Sequence, residues 1–297
     1  MKNCAHSTTP WPGPVSAALD RLPSVPSFQW RGIFRVSEAT DSRLGHSGIV
    51  LCGGLSSRMG RDKAWLPWHD QPMVCHVVER LAETLDDIVV VAAPGQALPE
   101  LKARIVRDRE PHLGPLAGLR EGLAAIKNPR AFVTATDAPF LTSGFIKNLL
   151  SREEPIAPEV DGFTQTLCAV YPAEASRRAD EILSAGRRRP LELVESMGFT
   201  KIAEHELVDP ESISGFNTPD AYLEAARKIA PHGQVVITRE NGDTISTPIG
   251  SLQDVLRAAG IEALEPQVTF KKGLTFNGLS VPVGPGEELQ ITASPER

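Results

Sequence analysis

The chain has 297 residues, 41% hydrophobic and 23% charged, with a formal net charge of −6, a composition that allows one large folded domain and an appendage. The acidic balance argues against a non-specific nucleic-acid binder. No apolar run approaches the ~20 residues that span a bilayer, and no basic-then-apolar leader opens the sequence, so a cytoplasmic protein with no membrane or nucleic-acid partner is expected.

Residues 1–46 carry prolines at 10, 12, 14, 23 and 26 without a sustained period, and read as a disordered extension with one short helix around 15–22. Gly48 to Cys52 is an almost continuous apolar run, the mark of a parallel strand buried on both faces. A loop follows. Gly53, Gly54 and Gly60 permit close backbone approach, Ser56 and Ser57 add hydroxyl donors, and Arg58, Arg61 and Lys63 add cations, all of which suit a polyphosphate. No Gly-Lys-Ser/Thr follows a glycine at the Walker A spacing, and no Gly-x-Gly-x-x-Gly is present, so the phosphate scheme is a different one. Cys4, Cys52, Cys75 and Cys168 are far apart and lack metal-site spacing; Cys52 and Cys168 sit in apolar runs as buried thiols.

Apolar strands are expected at 88–91 and 132–135, and helices at 72–85, 116–126, 143–150 and 174–185. Their alternation means βαβ units, hence a mostly parallel sheet with helices on both faces. Asp137 ends the second of these strands ahead of Pro139. An acid there points into the crevice beyond the sheet, where it can hold a hard divalent ion such as Mg²⁺; the alternative is a helix cap for the segment 141–150. Gly114 and Pro115 form a turn ahead of a helix, and His112 reads as a solvated loop residue. Residues 165–172 form a further strand. Arg187, Arg188 and Arg189 are either a solvated face or a phosphate clamp. Thr218 and Pro219 make a helix start as cap and first residue.

The run Leu51 to Lys63 resembles L-x-G-G-x-S-x-R-M-G-x-D-K, the signature loop of nucleotidyltransferases, most closely that of the molybdenum cofactor guanylyltransferases. The resemblance extends over about 48–230. It implies a Rossmann-like three-layer α/β domain at 47–230 that transfers GMP from GTP to molybdopterin or its molybdenum form, with release of pyrophosphate. It also implies Mg²⁺ on Asp137, phosphate neutralisation by Arg58 and Lys63, and a nucleotide site of Leu51, Cys52, Gly53, Gly54, Lys63, Asp108 and Asp137. Backbone amide groups of Leu51, Cys52 and Gly53 would read the base. Arg187, Arg188 and Asn217 would face the second substrate. Gly215 stands where many relatives carry another asparagine, and Ala92 lies near a position where relatives often carry one. The residues leave open a cytidylyltransferase or a sugar or polyol-phosphate nucleotidyltransferase of the same superfamily, and also a non-catalytic nucleotide-binding regulatory protein.

Beyond His232 the texture changes. Residues 234–239 and 243–247 alternate around an Asn241-Gly242 turn, a helix spans 251–259 between a Ser251 cap and Gly260, and strands follow at 267–270 and 287–291, with a turn at Asn277-Gly278. The order ββαββ is that of a small α+β, β-grasp-like module at 232–297. It looks like the ubiquitin-like sulfur carriers. The sequence ends Ser294-Pro295-Glu296-Arg297 rather than Gly-Gly, so the expectation is a docking module, open to other proteins of the same cofactor pathway, and not a sulfur carrier.

Overall fold

The computed structural model describes residues 44–54, 58–109, 113–261, 267–270, 276 and 278–292. The expectations for residues 1–43, Ser56, Ser57, His112, Asn277 and 293–297 lie outside the described residues.

Up to residue 229 the elements are β1 (Leu44–Leu51), β2 (Pro67–Trp68), β3 (Gln71–Pro72), α1 (Met73–Ala82), β4 (Leu85–Ala92), β5 (Arg104–Arg107), α2 (Pro115–Ala125), β6 (Arg130–Ala135), α3 (Ser143–Leu150), β7 (Ile156–Val160), β8 (Phe163–Thr164), β9 (Ala169–Pro172), α4 (Ala175–Ser184), α5 (Pro190–Ser196), β10 (Thr200–Ala203) and α6 (Pro219–Ile229). Eight of these strands form one sheet in the order β10-β7-β9-β6-β1-β4-β5, with β8 paired to β7, while β2 and β3 form a separate hairpin. β1 runs parallel to β4 on one side and to β6 on the other, while β9 opposes both β6 and β7. The chain therefore leaves β1 in one direction and returns to its other flank, which opens a crevice at the carboxyl end of β1.

The apolar run in β1 serves two layers, because successive strand side chains point to opposite faces. Ile49 and Leu51 join Leu116, Leu119 and Leu123 of α2; Val50 and Cys52 join Val77 and Leu81 of α1 and Phe145 of α3. Gly122 brings α2 close to the sheet, since a Cβ there would stand 2.7 Å from Ile49 Cγ2. Residues 44–46 belong to β1 and not to the preceding extension. They lack the apolar signal because this end of the strand is closed by polar groups: buried Ser47 donates to Asp87 at 2.6 Å, and Arg104 pairs with the same carboxylate at 2.7 Å.

The remaining elements are β11 (Gln234–Thr238), β12 (Thr244–Pro248), β13 (Gly250–Ser251), α7 (Leu252–Ala258), β14 (Gln267–Phe270), β15 (Pro282–Val283) and β16 (Glu288–Thr292). They make a sheet in the order β12-β11-β16-β14, with β11 and β16 parallel at its centre and antiparallel partners outside. Ser251 Oγ caps α7 by accepting from the Asp254 N–H at 3.2 Å, and Gly260 ends it at φ 68°. The apolar face of this small α+β unit does not close on itself. Val235, Ile237, Leu252, Leu256, Phe270, Val283 and Leu289 share a core with Met59, Leu66, Trp68, Met73, Phe216 and Tyr222. Residues 41–297 form one compact unit. Among the described residues no helix is long and apolar enough to cross a membrane.

Candidate active site

The carboxyl ends of β1, β4 and β6 open onto a cavity of about 480 Å³. Its walls come from Leu51 to Gly54 after β1, Val91 to Pro94 at the end of β4, Gly114, Pro115 and Gly118 at the start of α2, and Ala135 to Asp137 after β6. Leu51, Val91, Gly118 and Leu167 give it an apolar side, whereas Lys63, Asp108 and Asp137 supply charge. The start of α2 carries no side-chain cap, and Gly114 turns into it at φ 83°.

Lys63 is the centre of the polar end. Its Nζ donates to Asp137 Oδ2 at 2.6 Å, to the Phe216 carbonyl at 2.8 Å and to Asn217 Oδ1 at 3.3 Å. The Lys63 and Asp137 side chains are 19% and 25% exposed, so the pair is shielded from water yet within reach of a ligand. Asp62 holds the lysine in register: its Oδ1 accepts from the Ala64 N–H at 2.9 Å and its Oδ2 from Gln96 Nε2 at 2.8 Å. Gln96 also donates to the Cys52 carbonyl and accepts from the Ala93 N–H, tying the signature segment to the loop after β4.

Asp137 is fixed through its backbone neighbours. Thr136 donates to the Leu51 carbonyl through both N–H and Oγ1, and His76 Nε2 lies 2.9 Å from the Pro139 carbonyl. Gly215 packs directly on the Asp137 carbonyl, so that any Cβ there would collide with that oxygen. The asparagine expected at 215 in relatives has no room in this backbone. The following helix takes its cap from Thr142, whose Oγ1 accepts from the Phe145 N–H at 3.1 Å, which leaves Asp137 outside the cap.

Leu51, Cys52, Gly53, Gly54, Lys63, Asp108 and Asp137 all line the cavity. Other candidates stand elsewhere. The Cys52 and Gly53 N–H groups donate to the Val91 carbonyl at 2.8 and 3.2 Å, which turns them away from a base. Arg58 is exposed and is not among the cavity-lining residues. Arg61 is buried against Glu287, so it is no phosphate ligand. Asn217 accepts from Lys63, which places it beside the polar end of the cavity. Arg187 and Arg188 are exposed; Arg187 pairs with Glu192 at 3.3 Å, and the Arg188 carbonyl faces Gly114 at the cavity rim. Burial pushes the Cys52 thiol up to about 12, with bonds from Thr136 and Gln96 acting the other way, which makes it a packing group and not a nucleophile.

A family model described as the MobA-like NTP transferase domain matches residues 48–198, half of the sequence and the whole of the cavity. The chain belongs to the MobA-like NTP transferase family. It is a nucleotidyltransferase. It is 37% identical over 185 residues to the probable molybdenum cofactor guanylyltransferase of Mycobacterium bovis (strain BCG / Pasteur 1173P2), covering 58% of this chain and 92% of that protein. The probable molybdenum cofactor guanylyltransferase of Mycobacterium ulcerans is 35% identical over 181 residues, with 58% and 89% covered. The crystal structure of molybdopterin-guanine dinucleotide biosynthesis protein A from Archaeoglobus fulgidus superposes with a TM-score of 0.51 at 20% identity over 62% of this chain and 98% of that one, a likeness of fold. The module beyond residue 230 lies outside the matched residues.

Among the described residues no three His, Cys, Asp or Glu side chains cluster as a metal cage. The MobA-like site instead offers two lining carboxylates, Asp108 and Asp137, the latter 2.6 Å from the Lys63 nitrogen. Such a donor set fits Mg²⁺, which binds through one or two carboxylates and takes its other ligands from phosphate and water.

Proposed function

We propose that this nucleotidyltransferase transfers GMP from GTP to molybdopterin or its molybdenum form, in the cytoplasm, giving a guanine dinucleotide and pyrophosphate. The observation that carries the reading is the meeting of Lys63, Asp137 and Asn217 at the polar end of a cavity whose other side is apolar. The names of the 37% and 35% identical relatives support the choice of base and acceptor.

In this reaction an oxygen of the acceptor's terminal phosphate attacks the α-phosphorus of GTP. A new P–O bond forms, the bond from the α-phosphorus to the bridging oxygen breaks, and pyrophosphate leaves with that electron pair. The attacking oxygen is anionic near neutral pH, so the problem is charge and alignment rather than proton removal. Lys63 donates to phosphate oxygens as charge moves onto the leaving group, Asn217 and the Phe216 carbonyl hold the ammonium in place, and Asp108 positions the nucleoside. Asp137 would hold Mg²⁺, which when bound neutralises phosphate charge. The Arg188 backbone borders the rim at Gly114, and the exposed Arg187 and Arg188 side chains would meet the acceptor's phosphate.

Incubation of molybdopterin, and in parallel of sugar and polyol phosphates, with each of the four nucleoside triphosphates, followed by mass analysis, tests the reading. A guanine dinucleotide formed from GTP is expected. A cytosine dinucleotide from CTP would overturn the base, and a product only with a sugar or polyol phosphate would overturn the acceptor.

A further inference from the structure

Arg61 belongs to the signature loop but enters the C-terminal module. Its Nη1 and Nη2 each donate to one Glu287 carboxylate oxygen at 2.7 Å, Nη1 also donates to the Pro282 carbonyl at 3.1 Å, and the guanidinium stands 4.3 Å from the Phe270 ring centroid. Glu287 Oε2 also accepts from the Gly284 N–H at 2.8 Å. The Arg61 and Glu287 side chains are 1% and 9% exposed. Two ions so far out of water persist only where geometry and further hydrogen bonds satisfy them.

Three consecutive side chains thus anchor the signature segment in three directions. Arg61 holds the module, Asp62 holds Gln96, and Lys63 holds Asp137 and Asn217. Just before them Met59 is buried in the core shared with the module, and Gly60 turns the chain at φ 67°. We infer that the C-terminal module is a working part of the nucleotide site: Glu287, acting through Arg61, is a positioning residue that holds residues 59–63 where Lys63 reaches the cavity. The module lies beyond the matched family residues 48–198. The inference rests on the nucleotidyltransferase reading above. Coupling of this kind is reciprocal: if the module orders the lysine, nucleotide binding must also tighten the module at Glu287.

Hydrogen exchange on the full-length wild-type protein, with and without GTP, reads that reciprocity. GTP is expected to slow exchange in peptides covering 51–63 and, together with them, in peptides covering 281–290. Protection at 51–63 with none at 281–290 would overturn the inference and leave the nucleotide reading standing. Protection at neither, with any of the four nucleoside triphosphates, would overturn both. Glu287→Gln keeps an acceptor for the Gly284 N–H but weakens the ionic fork; KM for the nucleotide should rise about tenfold while KM for the acceptor stays unchanged. Should that variant fail to fold, Arg61→Met combined with Glu287→Gln removes the buried charge pair altogether. A folded variant of either kind with wild-type nucleotide KM contradicts the positioning role.

Discussion

Lys63 meets three oxygens, from Asp137, Phe216 and Asn217, and they come from segments 74 to 154 residues away in sequence. Such a contact set restrains the ammonium without burying it, so removing it should harm chemistry more than folding. Lys63→Ala is expected to lower kcat about 100-fold or more with a nearly unchanged thermal midpoint, since lost transition-state donors typically cost that much. Gly215 makes the opposite prediction. Gly215→Asn forces a Cβ onto the Asp137 carbonyl, and a loss of about 1–3 kcal/mol in urea unfolding is expected, accompanied by reduced turnover. That Lys63 and Asp137 share one crevice was legible in the sequence, because a loop leaving one strand and an acid ending a second strand both lie at the carboxyl ends of a parallel sheet. Gln96 and Gly215 were not. Each acts through partners distant in sequence, and neither residue type announces that role. Arg61 misled for the same reason: its spacing matches a phosphate cation, yet its partner lies 226 residues further on.

At the scale of elements, β1, α3 and α7 declared themselves through apolar runs and caps, whereas β5 and β10 did not. β5 is a half-exposed edge strand carrying Arg104 and Arg107, and β10 sits at the opposite edge with Thr200 and Lys201 exposed; neither has the apolar continuity of a central strand. The aromatic knot around Trp68 was also hidden, because its members are spread along the chain. Trp68 touches Phe140 and Phe216 with ring centroids 5.5 and 5.2 Å apart, which links the hairpin of β2 and β3 to the turns after Asp137 and before α6. His76 on α1 joins the same knot and contacts the Pro139 carbonyl. Burial holds its pKa below the ordinary value of 6.5, with the Pro139 bond opposing, Arg80 and His69 lowering it further and Glu79 raising it. The neutral form is thus favoured in the fold. Its contribution is fully present above pH 6.5 and is lost as the pH falls toward the folded pKa, because the unfolded chain takes up the proton first. Unfolding free energy measured against pH should decline below 6.5, and His76→Gln should flatten that decline in part, His46 being shifted in the same direction.

At the scale of the whole molecule, the described residues form three apolar cores where the repeating pattern of strands and helices implied two layers about one sheet. The third joins the C-terminal module to the underside of the signature loop through Met59, Trp68 and Tyr222. The order of the module's strands could be read from alternation and turn residues. Its docking could not, since each docking residue looks like an ordinary core or surface residue until the fold brings the two regions together. The module's apolar residues pack against Met59, Leu66, Trp68 and Tyr222 of the nucleotidyltransferase domain. Tyr222 shows how closely the parts are fitted: its hydroxyl donates to the Pro67 carbonyl at 2.8 Å while its ring packs on Phe216 beside the lysine's carbonyl partner. Tyr222→Phe should therefore cost about 1 kcal/mol in urea unfolding through the lost hydrogen bond. The central claim concerns Lys63 and Asp137, and pyrophosphate release in a single turnover tests it most directly, using GTP, Mg²⁺ and molybdopterin with the wild type, Lys63→Ala and Asp137→Asn. Release by the wild type, lost in both folded variants, is the predicted result; release at the wild-type rate by either folded variant would contradict the assignment of this pair to phosphoryl chemistry.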